Sequence, residues 1–93
     1  MTVGILGMAF KGESDDIRSS LSYKLKRILE FRAREVLCTD PYVVVDPTLL
    51  PLDEVIERSD VLVIGAPHRV YRELETDLPV VDVWNLRGRG SAT

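Results

Sequence analysis

The chain has 93 residues, 45% of them hydrophobic, and a formal net charge of −3. That length suits one small domain, burying about 60–65% of its unfolded surface. An acidic balance with scattered basic residues argues against a nucleic-acid platform. No apolar run approaches the ~20 residues needed to cross a bilayer, and no signal peptide is visible.

Val3-Gly4-Ile5-Leu6 reads as a first strand, apolar on both faces as in a sheet covered on both sides. The segment that follows, Gly7 to Ser20, carries Lys11, Asp15, Asp16, Arg18, Ser19 and Ser20 and is too polar and specific for a plain strand-to-helix joint. A cation at the carboxyl end of a strand, beside a helix N-terminus, suits an anionic ligand such as a phosphate. Lys11 would serve as a mobile point charge toward a diphosphate. Arg18 has two readings: a bidentate holder of phosphate or carboxylate, or one half of a structural ion pair with Asp15 or Asp16.

A helix comes next. Leu21, Leu25, Ile28 and Leu29 make one apolar stripe, with Lys24, Lys26, Arg27 and Glu30 opposite, and Ser19 or Ser20 as N-cap. Glu35 to Thr39 reads as a second strand closed by Asp40-Pro41, where Asp40 is expected to shape a turn. Its Cys38 is expected to be a small buried hydrophobe, and a single cysteine suits a reducing cytoplasm. After a proline-punctuated loop, Leu52 to Arg58 reads as a short helix and Val61 to Ile64 as a strongly β-branched strand. His68 to Leu74 is expected to be a short helix or turn, with His68 capping or hydrogen bonding in the loop, and Pro79 to Val83 a fourth strand. One histidine and one remote cysteine make no metal site. Trp84 either packs at the edge of the core or, if exposed, offers a stacking platform.

The order of elements predicts an α/β fold, a small Rossmann-like three-layer unit with a mostly parallel sheet of about four strands. Residues 1–86 form the domain and 87–93 a flexible, basic, glycine-rich tail. Gly4-x-x-Gly7 lacks the G-x-G-x-x-G spacing of a dinucleotide loop, so Gly7 is expected to supply an unusual backbone angle or a close approach.

Gly4-Ile5-Leu6-Gly7-Met8-Ala9-Phe10-Lys11 followed by Ser14-Asp15-Asp16-Ile17-Arg18-Ser19-Ser20 resembles the "GLAFK…TDDxRxS" signature of the UDP-glucose/GDP-mannose dehydrogenase family, in its C-terminal, UDP-binding domain. Asp40-Pro41-Tyr42, Ser59-Asp60-Val61-Leu62-Val63-Ile64, Pro67-His68-x-x-Tyr71 and Val81-Asp82-x-x-Asn85 agree in order. The resemblance implies an NAD-dependent nucleotide-sugar 6-dehydrogenase that oxidises a sugar C6 alcohol to a carboxylate. Phe10 and Lys11 match the substrate-binding pair, and Arg18 matches an arginine that reaches NAD bound by another domain. No residue here matches a catalytic one, so this segment alone is expected to be inactive and to belong to a longer, cytoplasmic, homo-oligomeric enzyme. The family's Asp-Gly-Arg is replaced by Asp82-Val83-Trp84, with Arg87 nearby. The alternative is a stand-alone α/β nucleotide-binding module without catalysis, acting in regulation or in interaction with a partner.

Overall fold

Thr2–Leu6 (β1), Leu21–Leu29 (α1), Glu35–Thr39 (β2), Leu52–Arg58 (α2), Val61–Ile64 (β3), a 3-10 turn at Arg69–Tyr71 and Val80–Val81 (β4) follow one another along the chain. The structure, a computed structural model, describes residues 1–9 and 21–82. Phe10, Lys11, Arg18, the proposed caps Ser19 and Ser20, and everything from Val83 on, including Trp84, Arg87 and the tail, lie outside the described residues.

Every strand pairing is parallel and the order is β2-β1-β3-β4. β1 is therefore central, with Gly4 opposite both Leu37 and Leu62 and Leu6 opposite both Thr39 and Ile64. Alternation along the strands sends side chains to two faces. Leu6, Leu37, Leu62, Ile64 and Val80 pack with Val55, Leu52 and Ile56 of α2. Ile5 and Cys38, with Met8, pack on the other face under Tyr23, Leu25 and Leu29 of α1. A helix on each face of the sheet gives the three layers expected from the alternating elements.

α2 begins after Pro51, carries Asp53 and Glu54 in its first turn and Arg58 in its last, and so suits its own dipole. It lies close on β1. A Cβ on Gly4 would stand 2.7 Å from Val55 Cγ1 and 2.9 Å from Leu62 Cδ2, so that position has no room for a side chain.

The stripe predicted for α1 is only half right. Leu25 and Leu29 face the sheet, but Leu21 and Ile28 are 66% and 57% exposed. The innermost residue is Ser22, buried over Gly65, where a small side chain lets the helix come down. Seating α1 on Ser22, Leu25 and Leu29 leaves Leu21 and Ile28 roughly 70–90° to one side of the line that meets the sheet, at about 100° per residue. β4 is shorter than expected, two residues at the sheet's edge.

Candidate functional site

The carboxyl ends of β2, β1 and β3 converge beneath the start of the segment that carries Lys11. Gly7 makes this possible. Its φ of +96° is open to glycine and strained for other residues, and a Cβ there would lie 2.8 Å from the Ala66 amide nitrogen. The Gly7 N–H donates to Thr39 O at 2.8 Å, and the Gly65 N–H donates to Leu6 O at 2.8 Å. Both neighbouring strands are thus tied to the end of β1, and the expectation of an unusual angle and close approach at Gly7 holds.

Asp40, directly after β2, joins these ends with its carboxylate. Oδ1 accepts from the Tyr42 amide at 2.7 Å and the Val43 amide at 3.2 Å. Those bonds are the turn read from Asp40-Pro41. Oδ2 does something the sequence reading missed: it accepts from the Met8 amide at 2.7 Å and the Ala9 amide at 3.0 Å, across more than thirty residues of chain. His68 Nε2 lies 2.8 Å from the same oxygen, and both side chains are wholly buried. An ionised carboxylate only accepts, so Nε2 carries the proton and donates.

Burial by itself raises the Asp40 carboxyl. Hydrogen bonds from the Tyr42 amide, His68 and the Met8 amide outweigh it and hold the group below the usual carboxylate range. The imidazole packs against two tilted rings, with Tyr42 at 4.8 Å and Tyr71 at 5.8 Å between centroids. His68 begins the 3-10 turn through its backbone, and its side chain makes no cap. Its bond runs across to the end of β2, outside its own loop. The signal was topological. Asp-Pro after β2 and Pro-His after β3 meet only because those strands flank β1.

An apolar cavity of about 230 Å³ opens beside Asp40, lined by Pro41, Leu50, Pro51, Leu52, Val70 and Tyr71 among others. Cys38 is buried under α1, and burial pushes its thiol up to about 11, so it behaves as the core residue expected.

The described residues do not fit a dinucleotide site. In such a site the backbone amides after the first strand point at a pyrophosphate, and an acid after the second strand reads a ribose. Here the amides of Met8 and Ala9 donate to Asp40, and Asp40 is enclosed. Among the described residues no cluster of His, Cys, Asp or Glu is placed to hold a metal ion, and no helix is long and apolar enough to cross a membrane.

Residues 4–88 match the model of the UDP-glucose/GDP-mannose dehydrogenase family, UDP binding domain. The chain is 35% identical over 72 residues to UDP-N-acetyl-D-mannosamine dehydrogenase of Pyrococcus horikoshii, a match spanning 77% of this chain and 17% of that protein. The solved structure of that enzyme superimposes with a TM-score of 0.71 at 34% identity over 78% of this chain. NDP-N-acetyl-D-galactosaminuronic acid dehydrogenase from Methanosarcina mazei superimposes at 0.72 with 34% identity, over 80% of this chain and 16% of that one. The fold alone is shared with UDP-N-acetyl-mannosamine dehydrogenase of Staphylococcus aureus, with a TM-score of 0.80 at 22% identity over 91% of this chain and 22% of that one. The chain thus spans under a quarter of the length of these relatives.

Proposed function

The chain belongs to the UDP-glucose/GDP-mannose dehydrogenase family as its UDP binding domain, and from that premise we propose that it grips the UDP moiety of the substrate of an NAD-dependent nucleotide-sugar 6-dehydrogenase. The longer enzyme converts a sugar C6 alcohol to a carboxylate, and its catalytic residues and most of its NAD site lie outside this segment. Lys11 brings positive charge to the diphosphate, Phe10 frames the sugar–phosphate side, and Arg18 is directed at the cofactor. The mannosamine and galactosaminuronic acid names of the relatives point to an N-acetyl-hexosamine as the sugar.

One observation carries this reading. The peptides of Met8 and Ala9, immediately before Phe10 and Lys11, are pinned at the carboxyl ends of three parallel strands. That is where open α/β sheets receive ligands.

Titration with UDP, UDP-glucose and UDP-N-acetyl-hexosamines, read by amide shifts, tests it. Saturable shifts are expected from Gly7 to Ser20, with N-acetyl-hexosamine substrates bound more tightly than UDP-glucose. Lys11→Ala should weaken binding by roughly 10- to 100-fold, the worth of one hydrogen bond to a charged group. Equal binding by Lys11→Ala and the unmodified chain would sink the assignment.

A further inference from the structure

We propose that Asp40 and His68 are positioning residues for nucleotide binding: as a buried pair they set the direction in which the chain leaves β1 toward Phe10 and Lys11. This rests on the reading of Phe10 and Lys11 given above.

Asp40 Oδ2 is the shared acceptor of the last two described amides before that segment, at Met8 and Ala9. Two peptide planes held to one oxygen fix the backbone as far as Ala9. The oxygen is itself located by His68 Nε2 at 2.8 Å. His68 is in turn oriented by the flanking rings of Tyr42 and Tyr71, and its backbone is fixed by N–H donation to Ala66 O at 2.8 Å. The chain of contacts runs from the turn after β3, through Asp40 after β2, to the exit of β1.

Packing alone does not require this chemistry. Apolar residues of similar volume commonly stabilise a core as well as a buried ionic pair does, and in some proteins such a pair serves to specify one arrangement. Here it specifies the one backbone exit on which the proposed ligand contacts depend. The Met8 and Ala9 amides donate to Asp40 and are not the groups proposed to cradle phosphate, so the pair acts through the residues that follow. Its role is to place them.

Two amide substitutions separate placement from packing. In His68→Gln the side-chain nitrogen reaches the position of imidazole Nε2 and restores the bond to Asp40. In His68→Asn the nitrogen falls at the position of Nδ1 and stops short. UDP is titrated into the unmodified chain, both variants and Lys11→Ala, and thermal unfolding is recorded for each. His68→Gln should bind UDP within about twofold of the unmodified chain. His68→Asn should bind about tenfold more weakly or worse, the scale seen where a partner orienting a ligating residue is lost. The Met8 and Ala9 amide resonances should move in His68→Asn and stay in place in His68→Gln.

Equal UDP affinity in the two variants, beside a large loss in Lys11→Ala, would overturn the positioning role while leaving the UDP site intact. An affinity loss that merely follows each variant's fall in melting temperature would overturn it as well. Absence of any Lys11-dependent UDP binding in the unmodified chain would remove the site reading, and the positioning role with it.

Discussion

Asp40 concentrates more of this molecule's chemistry than any other described side chain. An ionised carboxylate buried beside the ends of three strands is stable only because each oxygen is met by donors, and those donors lie on segments far apart in sequence. Its carboxyl is held below the ordinary value, so the folded state binds that proton less readily than the unfolded chain. The sign follows from linkage. The stabilisation is complete above the unfolded carboxyl value, about 4, and is lost as pH falls through the lower folded value. Asp40→Asn presents an NH₂ group to backbone donors on one side or the other and should cost about 3–5 kcal/mol at pH 7, the range for breaking a buried pair. Protonation of Asp40 in acid produces much the same conflict in the unmodified chain. The stability gap between the two proteins should therefore close as pH falls from 5 toward 2, as urea unfolding measured across that range would show. A gap independent of pH would mean that the carboxylate's charge contributes nothing.

Among the elements, the sheet was legible and the seating of α1 was not. β2, α2 and β3 begin and end where their residue patterns place them, because apolar β-branched runs and proline punctuation act locally. Leu21, Leu25, Ile28 and Leu29 formed a stripe on a helical wheel, but the wheel cannot say which part of an apolar arc meets the sheet. Ser22 decides it, since only a small residue fits over Gly65, and its polarity hid it from a hydrophobic count. The same limit concealed the Asp40–His68 pair: each residue had a plausible local role, and their meeting required knowing that β2 and β3 flank β1. Substitution separates the two halves of the stripe. Leu25→Ala removes a side chain packed on the Ile5, Met8 and Cys38 cluster and should cost about 2 kcal/mol. Ile28→Ala, at an exposed position, should change stability by no more than about 0.5 kcal/mol. Chemical denaturation gives both values, and equal losses would contradict the observed rotation of α1.

At the scale of the whole molecule, three thin layers depend on one another. The pairings between strands all join segments distant in sequence, and the edge strand β2 is covered on one face by α1. With so small a core no layer has stability to spare, so exposure of β2's inner face should require opening of the domain as a whole. Cys38 reports on that face. It is 4% exposed, under α1, with a thiol pushed up to about 11 by burial. A thiol-specific reagent can reach it by two routes with different pH dependences. Direct attack on the closed form would require the native thiolate, so the rate would keep rising with pH toward 11. Attack through global opening samples the unfolded thiol, whose ordinary value is about 8.5, so the rate should level off above pH 9. The second route is expected, with labelling at least about a thousandfold slower than in denaturant, as an unfolding free energy of about 5 kcal/mol requires. Labelling within tenfold of the denatured rate would mean that α1 lifts from the sheet on its own. The layers would then not be a single cooperative unit, and the docking of α1 would have to be treated as an equilibrium separate from the folding of the sheet.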